Sequence, residues 1–180
     1  MAVGVKYRDV VREIALDHYG YVTTKAAVAA GVPAIELPKL AARGGLTNVA
    51  YGLYRVPDVQ PHAFDQFAEA LLRAGEGAYL HGDSVLALLG LAEVNPRRVK
   101  VAVPRRTRTK VPAFVELTTV KAGAPITRYL GLDSQPVADA IVECRGRIEN
   151  DRLRTAAAEA RKEGLLTTAQ WQRVRKELRP

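Results

Sequence analysis

Cysteine is nearly missing from the chain: Cys144 is the only one in 180 residues. That excludes an internal disulfide and a cysteine-rich zinc centre, and it suits a reducing compartment. A buried structural thiol is its expected role. Long apolar runs are missing too. The stretches "TTKAAVAAGV" and "SVLALLGLA" fall short of the roughly 18 residues that a membrane span needs, so no membrane partner is expected. The opening "MAVGVKYRDVVRE" has no apolar segment followed by a small-residue cleavage site, so export is not indicated and a cytoplasmic location is the expectation.

Several catalytic signatures are absent as well. No lysine has Asp or Glu two residues before it, which removes the acid-x-lysine pair of a restriction-like nuclease. "AGEGAYLHG" lacks the Lys-Ser/Thr end of a phosphate-binding loop. His18, His62 and His81 are far apart in sequence, and "HGD" at 81–83 is too short to mark a site. A relay of Ser84, His81 and Asp83 is a poor arrangement, because groups so close in sequence seldom converge with an oxyanion hole. The chain is therefore expected to be no enzyme, with no metal and no cofactor.

What is present is positive charge. The formal net charge is +8, 48% of residues are hydrophobic and 26% charged, enough for one sizeable core or two small ones with a polyanionic or acidic partner. The excess is uneven. Residues 1–58 are nearly balanced, and from His62 to Glu93 five acids face only Arg73. Arg97, Arg98, Lys100, Arg105, Arg106, Arg108 and Lys110 then follow one another with no intervening acid, and a second basic excess runs from Arg145 onward.

The pattern predicts an α+β fold. "YRDVVREIALDHYG" has helical spacing at Val10, Val11, Ile14 and Ala15, with Gly20 as a left-handed stop. "YVTTKAAVAAGV" offers Thr23 or Thr24 as N-cap and Gly31 as the end of a second, short helix. A third helix should close at Arg43-Gly44-Gly45, and "LTNVAYGLYRV" reads as a hairpin around Gly52. Helix, helix, turn, helix, hairpin is the order of a winged helix-turn-helix. "PDVQP", 57–61, is the expected boundary, giving a winged domain over 1–58 and a larger mixed α/β domain over 62–180. In the latter, "HAFDQFAEALLRAG" and "DSVLALLGL" read as helices, the second capped by Asp83 or Ser84. "RRVKVAVP" and "FVELTTV" read as strands, and the remainder as helices with a Gly stop and a Thr cap in "GLLTTAQ".

"YVTTKAAVAAGVPAIELPKLAARGGLTNVAYGLYRVP", with "HGDSVLALLGLAEVNPRRVKVAVP", resembles the AbiEi antitoxins of type IV toxin–antitoxin systems. The resemblance spans most of the chain and rests on the order of the pieces. It implies an N-terminal winged helix followed by a larger α/β antitoxin domain. It also implies autorepression through double-stranded promoter DNA at inverted repeats, and antagonism of a cognate nucleotidyltransferase-like toxin. The oligomeric state stays open.

Candidate DNA contacts follow from residue type. Thr23, Thr24 and Lys25 stand at a helix N-terminus, where free N–H groups favour phosphate, or else the threonines simply cap. In the wing, Asn48, Tyr51 and Arg55 could reach a phosphate or minor groove, or the tyrosines Tyr51 and Tyr54 could pack the hairpin. The run Arg97, Arg98, Lys100, Arg105, Arg106, Arg108 and Lys110 is a candidate for DNA, for an acidic protein partner or for plain solvation. The third helix is unusual. It carries Ala34, Ile35, Glu36 and Pro38 where a reader would present polar groups, and only Lys39 and Arg43 as cations. Pro38 belongs in a first helical turn, so the helix should start near Leu37 or Pro38 after an extended turn over 33–36. Few base-contacting groups remain, which leaves a second reading: an interaction module with weak DNA affinity whose basic C-terminal domain docks on an acidic protein.

Overall fold

The computed structural model describes residues 6–121 and 123–179. The chain is α+β and divides between Arg73 and Ala74 into two compact units.

In the first unit, α1 (Tyr7–Leu16) buries Val11 and Ala15 and is followed by a turn ending at Gly20, whose φ of 84° is the left-handed stop its sequence predicts. Strand β1 (Tyr21–Thr23), α2 (Thr24–Ala29), α3 (Glu36–Ala42), β2 (Thr47–Ala50) and β3 (Leu53–Arg55) follow. The strands form one antiparallel sheet in the order β1-β3-β2. β1 is not foreseen from sequence: its three residues end on the helix cap Thr23 itself and show no period. The β2–β3 hairpin turns at Tyr51-Gly52 after a register shift between Asn48 and Ala50. Gly52 takes φ 66°, and its carbonyl accepts the backbone N–H of Thr24 at 2.9 Å, pinning the hairpin to the start of α2. Val11, Ala15, Val22, Ala27, Val32, Leu37, Leu46, Tyr54 and Val56 make one apolar core, to which α1, β1, α2, α3 and β3 contribute and β2 does not.

α3 begins one residue earlier than its sequence suggests, and residues 33–36 are a tight turn, not an extended one. The N–H of Glu36 meets the Pro33 carbonyl at 2.9 Å and Ile35 has helical dihedrals. Pro38 is the third residue of the helix, in the first turn, where its missing N–H costs nothing.

The division into units lies beyond Pro57–Pro61. Asp58 pairs with Arg8 at 2.6 Å, Val59 packs on the core, and His62 and Phe64 stack in a row with Tyr19, at 5.4 Å between the Tyr19 and His62 centroids. α4 (Asp65–Ala74), expected in the second domain, is held by the sheet of the first. The guanidinium of Arg55 donates to the Tyr19 carbonyl at 3.1 Å, pairs with Asp65 at 3.0 Å and lies over the Tyr21 ring at 5.3 Å. The Tyr21 hydroxyl donates to Glu69 at 2.8 Å; Glu69 in turn accepts from Arg73, which donates to the Val49 carbonyl at 2.9 Å. Burial, then the hydrogen bond to Glu69, pushes the Tyr21 hydroxyl up to about 12.

In the second unit, β4 (Tyr79–Leu80), α5 (Asp83–Leu88), β5 (Val99–Val103), β6 (Val115–Thr119), β7 (Thr127–Tyr129), β8 (Leu132–Ser134), α6 (Val137–Glu143), α7 (Asn150–Lys162) and α8 (Thr168–Glu177) succeed one another. The sheet order is β6-β5-β4-β8-β7, with β5–β6 and β4–β8 parallel and the other two pairs antiparallel. β5 is more deeply buried than a half-buried strand: Val99, Val101, Ala102 and Val103 are all covered. α6 packs on α5, α7 and α8. Thr167 caps α8 in a reciprocal box with Gln170, the stop-and-cap arrangement foreseen in "GLLTTAQ". α5 departs from its expected cap: Gly82 is the N-cap, and the Ser84 hydroxyl instead accepts the Lys100 N–H at 2.8 Å.

Removing the Arg55 guanidinium strands Asp65 in a mostly covered position. Arg55→Ala is expected to destabilise the first unit by about 1.5–3 kcal/mol, the range for hydrogen bonds to charged groups. Urea denaturation of the full chain measures it, and a loss below experimental error would contradict the role given to this side chain.

Candidate nucleic-acid interface

The first unit presents α3, the α2–α3 turn and the hairpin tip. Along α3, Leu37 is buried while Ile35, Pro38, Lys39 and Ala42 share the opposite, exposed side. Ile35 is 62% exposed and Val28 on α2 50%. Lys39 pairs with Glu36 at 2.8 Å, an exposed contact of little energetic weight. Arg43 follows at the C-cap, exposed, and among the described residues its side chain makes no ion pair. Tyr51 stands fully exposed at the hairpin tip, and Asn48 is exposed on β2.

Three of the residues expected to touch DNA are committed inside their own unit. Thr23 caps α2 by accepting the Ala26 N–H at 3.1 Å, and the Thr24 hydroxyl faces the Gly52 carbonyl at 3.4 Å, so the threonines serve the local fold. Arg55 is spent on Tyr19, Val59 and Asp65 and is withdrawn from the candidate interface, because its sequence position at the wing exit also faces α4. Lys25 is exposed on α2. Tyr54 is buried in the core, the packing alternative for the wing tyrosines, whereas Tyr51 is not.

The basic run lies in the second unit. β5 and β6 are parallel neighbours, so the chain must cross over between them, and it does so through residues 104–114 without a helix. Arg105, Arg106, Arg108 and Lys110 are exposed along this crossover, and Arg97 and Arg98 are exposed just before β5. A Thr107–Thr109 hydroxyl contact at 2.8 Å braces the loop. Lys100 does not belong with them: it points from β5 to Asp83 at 2.9 Å, with its side chain 16% exposed. Lys100 alone of the run lies inside β5, within reach of Asp83 at the start of α5, whereas the other cations flank the strand, a distinction the bare run of charge does not carry.

One polar cluster was passed over in sequence because "HGD" is short. Asp83, Lys100, Glu143 and Arg147 all act electrostatically on His81 and on Cys144, and the Gln135 amide oxygen accepts the Gly82 N–H at 2.9 Å. Burial dominates both titrations. It pushes Cys144 up to about 11, an inert thiol, and lowers His81 below its usual value of 6.5. No group of three or more His, Cys, Asp or Glu among the described residues is placed to hold a metal ion, and none of their helices is long and apolar enough to cross a membrane.

Comparison with known proteins adds to the fold. No protein-family model and no curated protein matches the sequence. The chain is similar to the crystal structure of the RV2827C protein from Mycobacterium tuberculosis, at 19% identity and a TM-score of 0.50, over 96% of this chain and 76% of that one. Two chains this distant in sequence share a fold class, here α+β with both units included in the match.

His81 gives a pH test with a definite sign. Its folded value is depressed, so below pH 6.5 the unfolded chain binds the extra proton first and stability falls as the pH drops toward the folded value. Denaturation midpoints are expected to decline from pH 7 to 5, and His81→Gln to flatten that decline; an equal slope in both proteins would assign the acid sensitivity to other groups.

Proposed function

We propose that the protein is a double-stranded-DNA-binding regulator whose first unit is a winged helix and whose second unit adds phosphate contacts through the 104–114 crossover. One observation carries the reading. The order α1-β1-α2-α3-β2-β3 on a β1-β3-β2 sheet buries Leu37 and leaves the outer side of α3 and the tip residue Tyr51 uncovered within the unit. A helix and a hairpin tip exposed together are what a winged helix lays on the major groove and the adjoining backbone. The exposed cations Arg105, Arg106, Arg108 and Lys110 support a phosphate contribution from the second unit.

The resemblance to AbiEi antitoxins extends this proposal to autorepression at inverted repeats and to antagonism of a nucleotidyltransferase-like toxin. A second reading, an interaction module docking on an acidic partner, is favoured by the apolar outer side of α3 and by the exposed basic loop, which suits a carboxylate surface as well as phosphates. Salt separates them. Binding to DNA from upstream of its own gene should weaken steeply as salt rises, because each neutralised phosphate releases counterions.

Replacing Arg105, Arg106 and Arg108 together by Ala is expected to weaken that binding and to reduce its log–log salt slope by up to about three, near one per lost phosphate contact. Fluorescence anisotropy over a salt series reads both. An unchanged slope would assign the loop to a protein partner or to solvent.

A further inference from the structure

From Tyr21 to Tyr54 the chain holds three cations, Lys25, Lys39 and Arg43, and one acid, Glu36, which Lys39 pairs. The cations suit a polyanion, yet the side of α3 between them is apolar. Ala34, Ile35, Pro38 and Ala42 are exposed and can neither donate nor accept a side-chain hydrogen bond, and Pro38 has no backbone N–H. Asn and Gln, the partners of adenine, are missing from α3 and its entry turn. Ile35, 62% exposed, is the largest apolar group on this side, and no element of its own unit covers it.

In the major groove one base feature answers an apolar side chain: the C5-methyl of thymine. Resting on the proposed DNA-binding reading, we infer that α3 recognises thymine methyl groups through Ile35, Ala34 and Ala42, while Lys39 and Arg43 hold the flanking phosphates. The preferred site is then one with clustered thymines at the position of α3. Base discrimination comes from buried methyl area, and the hydrogen-bond code of the groove is left largely unread.

The test is a cycle between protein and DNA. The upstream fragment bound by the full-length protein is prepared with thymine and, in parallel, with deoxyuridine in place of every thymidine, which removes only the methyl groups. Affinity for the uracil duplex is expected to fall by about fourfold for each methyl that is buried against the helix. Ile35→Ala should weaken binding to the thymine duplex and leave binding to the uracil duplex nearly unchanged, so that the thymine–uracil gap narrows in the variant. Unchanged binding of the variant to uracil DNA also shows that it remains folded. Equal affinity of the unaltered protein for both duplexes overturns the inference while DNA binding stands. A thymine–uracil gap of the same size in both proteins also overturns it, because the methyls would then act through DNA shape and not through Ile35. Binding to neither duplex overturns the inference together with the DNA-binding reading on which it rests.

Discussion

The guanidinium of Arg55 is the constraint around which the first unit is organised. It sits on β3, where the unit's last strand hands the chain to the segment leading into α4, and it satisfies the Tyr19 carbonyl, the Val59 carbonyl and Asp65 at once. Its planar fork makes that possible; a lysine in its place would offer one point charge to three acceptors. The close fit reaches into the preceding turn. A Cβ on Gly20 would come within 2.9 Å of the Arg55 Nη1, so the left-handed glycine is required both by its φ and by the arginine beside it. Tyr21, Glu69, Arg73 and the Val49 carbonyl continue the network to β2, and α4 becomes part of the sheet's back wall.

Committing Arg55 inward decides what remains outside. The hairpin keeps Thr47, Asn48 and Tyr51 as outward groups, and α3 offers an apolar side flanked by Lys39 and Arg43. A unit whose cations are nearly matched by acids gains little from long-range attraction to phosphates. In the second unit the reverse holds. A parallel β5–β6 pair requires a crossover, and because this one is irregular and lies at the surface, its arginines are exposed and make no ion pair among the described residues, while Lys100, the second residue of β5, is drawn to Asp83. Affinity and selectivity are thereby assigned to different units in the proposed function.

The helices and several of their ends were legible in the residues themselves, though not the cap of α5 or the first residue of α3. Gly20 and Gly31 stop α1 and α2, Thr23 caps α2, Gly164 and Thr167 separate α7 from α8, and Pro38 confines the start of α3. Each is a local matter of dihedral preference or of a hydrogen bond three residues away, so neighbouring residues suffice to determine it. The longer strands β5 and β6 were legible for a related reason, since five residues are enough to show a strand's period.

Only the tertiary structure decided the short strands β1, β4, β7 and β8, the place where the chain divides, and which cations are free. Two or three residues carry no periodicity, and such a strand exists because a partner supplies its hydrogen bonds, far along the chain for Leu80 in Ser134 and across a short hairpin for β7. The division after Arg73 depends on Asp65 and Glu69 meeting Arg55 and Tyr21, contacts between residues that sequence separates. Arg55 and Lys100 look in sequence like Arg43 and Arg105; distance to a carboxylate, fixed only when the elements pack, makes the first pair structural and leaves the second pair exposed.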